Sequence, residues 1–251
     1  MKIAYFDCFS GASGDMILGA LLDAGLSLDH LKQQLSLLNL PNWSLTVEKV
    51  IKNGICGSHA LVTVTQDQHH RSLSDIKTII TESQLTPAIK DDSIKIFTRL
   101  AAAEAKVHNT DIESIHFHEV GAMDAIIDIV GAIIGLQAFK IEKIFCSSLH
   151  VGTGTVECAH GTLPVPAPAT VELIKGRPTY STGVFGELLT PTGAAILTTL
   201  CDDFGPMPFM TTEHIGYGAG TAERSIANLL RVFIGPIIEE DLDITAANAI
   251  L

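Results

Sequence analysis

Residues 2–24 read KIAYFDCFSGASGDMILGALLDA, and the fold turns on them. Lys2 to Cys8 is a short apolar run of the kind that forms a buried strand. It ends in the Gly/Ser stretch 9–14, and helical spacing follows from Asp15 to Ala24. Strand, Gly-rich turn and helix in succession point to an α/β unit. The free N–H groups and the dipole of the helix start make the turn a place for an anion, either a phosphate or a carboxylate. The same residues also read as a plain tight turn, with Ser13 as N-cap and Asp15 complementing the dipole. The Gly-Lys-Ser/Thr ending of a P-loop is missing, and so is the dinucleotide glycine fingerprint. Asp7 and Asp15, at either end of this stretch, are expected to hold a cation beside the phosphate.

Downstream, Leu28 to Leu38 predicts a helix stopped by Pro41. Trp43 to Ile51 and Ile55 to Thr65 predict a hairpin around Asn53-Gly54, the favoured two-residue turn. Gln66 to Ser72 reads as a polar loop, and Ser74 to Ser83 and Pro87 to His108 as helices. A long helix is expected from Glu119 to Phe139, then a strand from Ile144 to Val151. A turn-rich stretch leads to a short helix over 166–175 and a further helix from Thr190 to Leu200. Strands near 209–215 and 228–234 close the domain. The predicted fold is α/β or α+β, a mixed sheet flanked by helices with a β-hairpin insertion near residues 43–65. The domain is placed at 1–235, with 236–251 as an acidic tail or linker.

The chain has 251 residues, 47% hydrophobic and 18% charged, which excludes intrinsic disorder. Sixteen Lys+Arg against 28 Asp+Glu give a net charge of −12, a field that repels nucleic-acid phosphates and attracts metal cations. Five cysteines without a C-x-x-C pair fit a reducing, cytoplasmic setting. Asp7 interrupts the N-terminal apolar run too early for a signal peptide. Ala125 to Phe139, interrupted by Asp128 and two glycines, falls short of the ~20 apolar residues of a membrane span.

Two clusters carry chemistry. His116-Phe-His-Glu119 sets two imidazoles and a carboxylate before a helix, a donor set suited to nickel, zinc or manganese. On that helix Gly121, Asp124, Asp128, Gly131 and Gly135 share one narrow stripe opposite the apolar face of Ala122, Ile126, Ile129, Val130 and Ile133. Glycine costs about 1 kcal/mol against alanine in a helix, so the stripe is expected to meet another backbone or a ligand. Buried carboxylates need a cation, an Arg or a row of N–H donors, which makes Asp124 and Asp128 metal or ligand candidates. His69-His70 reads as a solvated turn or a metal-collecting loop. The Gly216-x-Gly-x-Gly220 run reads as a bulge or as a backbone-first approach to a ligand.

In order along the chain, FSGASGDM (9–16), HRSLSDI (70–76), HFHEVGAMD (116–124) with Asp128, HGTLPVPAPAT (160–170), ELLTPTGA (187–194), GYGAG (216–220) and NLLR (228–231) resemble the LarC family, the nickel-insertion proteins of lactate racemase cofactor maturation. The resemblance covers residues 1 to about 235. It implies nickel insertion into pyridinium-3,5-bisthiocarboxylic acid mononucleotide to form the nickel-pincer nucleotide, by a lyase-class cyclometallase that depends on CTP and on manganese or magnesium. It also implies a C-terminal domain beyond this stretch, so the chain reads as the first half of a split enzyme whose partner is a C-terminal polypeptide, as a truncated piece, or as a shortened homologue, and we expect a homo-oligomer.

Within that frame Asp7, Asp15, His116, His118, Glu119, Asp124 and Asp128 are the expected metal ligands. Ser10, Gly11, Ser13, Gly14, Thr190, Thr192 and Gly218 are the expected nucleotide contacts. Metallation at the ring C4 releases a proton, and His118, Glu119 and His160 are the candidate bases. Two rival readings are a non-catalytic nickel metallochaperone and a metal-dependent phosphohydrolase using Asp7, Asp15, Asp124 and Asp128.

Overall fold

A computed structural model describes residues 1–65, 71–115, 117, 123–158 and 161–238. In chain order, β1 (Lys2–Asp7) leads through the Gly-rich turn into α1 (Gly14–Asp23) and α2 (Leu28–Ser36). The hairpin β2 (Trp43–Lys52) and β3 (Ile55–Val64) follows, then α3 (Leu73–Glu82), α4 (Pro87–His108) and α5 (Met123–Ala138). After β4 (Lys143–Cys146) come the short strands β5 (Leu149–His150), β6 (Gly152–Thr153), β7 (Thr155–Cys158) and β8 (Gly161–Pro164). Then follow α6 (Pro168–Leu173), β9 (Thr179–Tyr180), β10 (Gly186–Glu187) and α7 (Pro191–Leu200). The described chain closes with β11 (Asp203–Phe204), β12 (His214–Ala219) and β13 (Leu229–Pro236).

Among the described residues, seven strands form one mixed sheet in the order β11-β4-β1-β13-β12-β3-β2. Strand β1 runs parallel to β4 and antiparallel to β13. Period-two alternation along β1 and β13 sends Ala4, Phe6, Leu230, Val232 and Ile234 into a core shared with the helices. The same alternation sends Tyr5, Asp7, Arg231 and Phe233 to the opposite face, where the Tyr5 and Phe233 rings sit 6.4 Å apart.

The mixed α/β architecture is as expected, and three details differ from the sequence reading. The hairpin is no insertion, because β3 pairs in parallel with β12 and makes the hairpin the edge of the main sheet. Its turn is as read, with φ of 47° at Asn53 and 84° at Gly54. The strand expected over Ile144 to Val151 breaks after Cys146: β4 stays in the main sheet, while Leu149–His150 pairs with Thr179–Tyr180. The strand expected near 209–215 lies at His214–Ala219, so the glycine run is inside a strand. Strand β13 reaches Pro236, and the N–H groups of Ile237 and Ile238 donate to the carbonyls of Met1 and Phe209. The ordered body thus continues past residue 235, and the remainder of the acidic tail, from 239, lies outside the described residues. No disulfide forms among the five cysteines.

Those strand glycines seat α1. A Cβ at Gly218 would overlap the carbonyl oxygen of Met16, and one at Gly216 that of Ala20, so α1 lies directly on the backbone of β12. Gly19 of the helix meets the Ser58 carbonyl of β3 in the same way. At the far end of α1, Asp23 accepts from Tyr217 N–H at 3.0 Å and from Ser58 Oγ at 2.7 Å, and it pairs with Lys49. These partners hold its carboxyl below the ordinary range against the opposing effect of burial.

A side chain at Gly218 has no room to relax, because the opposing atoms are backbone. Gly218→Ala is expected to destabilise the chain by about 3 kcal/mol or more in urea unfolding. Gly205→Ala, whose Cβ would meet nothing within 4 Å, should stay within about 0.5 kcal/mol of the parent.

Candidate functional site

The turn after β1 is held by its neighbours. Ala12 N–H donates to Leu188 O at 2.9 Å, and Thr190 N–H returns to Ala12 O at 3.1 Å. Gly11 has a φ of +79° and presses against the Leu188 backbone. His150 is buried below: its Nε2 accepts from Thr182 N–H at 3.1 Å, so its Nδ1 carries the proton and donates to Phe9 O at 2.8 Å. The turn therefore delivers the N-terminus of α1 to the same place as the N-terminus of α7. There Thr190 caps α7, its Oγ1 accepting from Gly193 N–H at 3.2 Å.

Helix α5 crosses α1 on its glycine stripe. A Cβ at Gly131 would stand 3.0 Å from Leu18 Cδ1, and one at Gly135 would stand 2.9 Å from Leu21 Cδ1. This half of the stripe is a helix–helix seam. At its upper end Asp128 lies against Gly14, where a Cβ would be 2.6 Å from Asp128 Oδ2. Asp15, Asp124 and Asp128 thereby come to one cavity of about 370 Å³, with Ser13, Gly14, Thr190 and Thr192 also on its wall.

The charges in this cavity oppose one another. Asp128 Oδ1 is shut off from solvent and has no hydrogen-bond partner among the described residues. Burial, and then the Asp15 and Asp124 carboxylates, push its pKa well above the usual range. Burial raises Asp15 too, against hydrogen bonds from Ser13 Oγ and Met16 N–H and the nearby His59. The Ser13 hydroxyl thus serves Asp15, and Ser13 occupies the N-cap position without a side-chain cap bond. Asp124 is exposed and accepts from Ala125 N–H at 2.8 Å. Crowded acids of this kind, one with an oxygen shut off from solvent, are relieved by a cation. Among the described residues, no three His, Cys, Asp or Glu already stand at metal-holding distances.

Several expected site residues are elsewhere. Asp7 points to the opposite face of the sheet, where it pairs with Arg231, whose Nε donates to Oδ2 at 2.9 Å. Asp7 and Asp15 therefore do not share a cation, and a four-Asp phosphohydrolase centre loses one member. Ser10 is fully buried, Gly11 packs on Leu188 and Gly218 packs on α1, and none of the three is on the cavity wall. His69, His70, His116, His118, Glu119 and His160 lie outside the described residues. The sequence reading missed His59, Glu187 and Thr221 on the cavity wall. His59 Nε2 stands 3.8 Å from Asp15 Oδ2. It sits in a strand with no motif around it, whereas Glu187 opens a quoted block and was open to notice.

The raised pKa of Asp128 fixes the sign of a pH effect. Between the unfolded value and the raised folded value the native state holds the extra proton, so this group's contribution to stability falls as pH rises through that window. Asp128→Asn is expected to stabilise the metal-free chain near pH 7 by on the order of 1 kcal/mol, seen as a higher melting temperature. The advantage of the variant should shrink as pH falls.

The family described as nickel insertion protein matches residues 4–250. A pyridinium-3,5-bisthiocarboxylic acid mononucleotide nickel insertion protein of Desulfitobacterium hafniense (strain DSM 10664 / DCB-2) is 56% identical over 241 residues, 96% of this chain and 60% of the relative. A protein of the same description from Acetivibrio thermocellus is 48% identical over 252 residues, 96% of this chain and 62% of the relative. The chain thus spans about three fifths of the length of these relatives. No solved structure matches it. A family match over nearly the whole chain, on a fold that gathers Asp15, Asp124, Asp128 and Glu187 of the quoted blocks into one cavity, shows that this chain belongs to the nickel insertion protein family.

Proposed function

We propose that the chain takes part in inserting nickel into pyridinium-3,5-bisthiocarboxylic acid mononucleotide, with Asp15, Asp124 and Asp128 as the acidic receptor of the metal. The observation that carries this reading is Asp128, whose Oδ1 is shut off from solvent without a hydrogen-bond partner among the described residues, beside the like charges of Asp15 and Asp124. A divalent cation there would attract each of the three carboxylates and outweigh their mutual repulsion. Oxygen donors hold nickel less firmly than sulfur does, so a carboxylate receptor suits hand-over to the thiocarboxylates of the substrate. His59 offers an imidazole beside Asp15. His116, His118 and Glu119 are proposed to complete the donor set, and Ser13, Gly14, Thr190 and Thr192 to contact the nucleotide.

In the reaction the two substrate sulfurs and the ring C4 become bonded to Ni(II), and the C4 hydrogen leaves as a proton. One Ni²⁺ enters for each ring proton released. His118, Glu119 and His160 are the proposed acceptors of that proton. The oxygen-rich cavity also fits manganese or magnesium, the divalent activators implied by the family resemblance. We further propose a cytoplasmic, homo-oligomeric lyase that uses CTP and acts with a C-terminal polypeptide.

Mass spectrometry tests the reading directly. The chain is incubated with Ni²⁺ and the mononucleotide, with and without CTP, Mn²⁺ or Mg²⁺, and the C-terminal polypeptide of a relative. Formation of the nickelated nucleotide is expected, and Asp124→Asn with Asp128→Asn should lower its rate at least tenfold at limiting nickel. Nickel binding without product under every condition would favour the metallochaperone, and product from the double variant at the parental rate would contradict the acidic receptor.

A further inference from the structure

Past Asp15 the cavity continues into a second compartment of about 430 Å³. Asp15, Thr190 and Thr221 line both. On the wall of the second stands Phe185, 67% exposed. Its ring nevertheless has a fixed seat. Gly154, at φ +91°, lies so close beneath it that a Cβ would overlap the ring. The Arg224 guanidinium clamps the adjoining backbone, Nη1 donating to Phe185 O at 3.2 Å and Nη2 to Glu187 O at 3.0 Å. Arg224 thus directs two of its nitrogens to backbone carbonyls, and the other charged side chains of the compartment are Asp15, Glu157 and Glu187.

This pairing of an open aromatic face with acidic walls selects a ligand class. An anionic group stacked on Phe185 would meet the carboxylates, and a neutral apolar ring gains nothing from them. A flat aromatic cation stacks on Phe185 and is attracted both by the ring quadrupole and by the acids. We propose that the compartment holds the positively charged pyridinium ring of the substrate against Phe185, with its anionic thiocarboxylate edge turned out of the acidic walls toward the metal compartment, where the divalent cation offsets the charge of Asp15. The inference rests on the reading that the substrate is a pyridinium nucleotide, and it assigns that ring a seat.

Nicotinamide mononucleotide and its 1,4-dihydro form share ribose and phosphate and differ in ring charge. In isothermal titration calorimetry the pyridinium form should bind the chain at least tenfold more tightly than the dihydro form. Phe185→Leu should weaken pyridinium binding about tenfold, equivalent to about 1.4 kcal/mol, while Phe185→Trp should preserve it. An unchanged melting temperature in both variants establishes that the fold is intact. Equal affinity for the two forms, absence of binding by either, or unchanged affinity in Phe185→Leu would overturn the proposal. Ni²⁺ titration of the same proteins separates the two readings. Nickel binding without ring preference removes the pyridinium seat alone, and ring preference without nickel binding removes the nickel receptor alone.

Discussion

The contact of α1 with β12, backbone against backbone, fixes the rest of the molecule. Gly216 and Gly218 leave no side chain between helix and strand, and Asp23 anchors the far end of the helix to Tyr217 and Ser58. With α1 held this close, its outer leucines are free to receive α5 along the Gly131 and Gly135 seam. The register of that seam decides which α5 residue arrives at the start of α1, and that residue is Asp128 against Gly14. A shift of one turn would bring a different side chain to the cavity. The packing of small residues in the core thus sets the geometry of the charged site.

The site itself opposes folding. Asp128 holds one oxygen away from solvent beside two other acids, and its raised pKa means that the metal-free native state keeps a proton there that it would give up in water. Such a group persists because the extensive apolar core, running from Phe6 through Ile17 and Leu21 to Ile129 and Val130, offsets it. Helix N-termini ease the burden for Asp15 and Asp124, which sit in the first turns of α1 and α5. The proposed carboxylate receptor, built of oxygen donors, suits a divalent ion that is cargo and must leave again.

Much of this was legible in the sequence. The strand, turn and helix of residues 2–24 and the Asn53-Gly54 hairpin follow from local rules, and the Asp124/Asp128 stripe followed from the cost of glycine on a helix. Long-range packing was not legible. The glycine run at 216–220 reads locally as punctuation and is in fact a central strand stripped for helix contact. Asp7 looked like a partner of Asp15 because both flank one turn, yet strand alternation turns it to the other face, toward Arg231. His59 reached the site only through the pairing of β3 with β12, and Phe185 only through Gly154 and Arg224. Motif spacing carries no trace of either.

The central claim is that the cavity between α1 and α5 receives nickel, and diffraction from nickel-loaded crystals at the nickel absorption edge tests it most directly. The account predicts an anomalous peak within coordination distance of Asp124 and Asp128, beside Asp15. A single strong peak at another part of the chain, with this cavity unoccupied at saturating nickel, would contradict it.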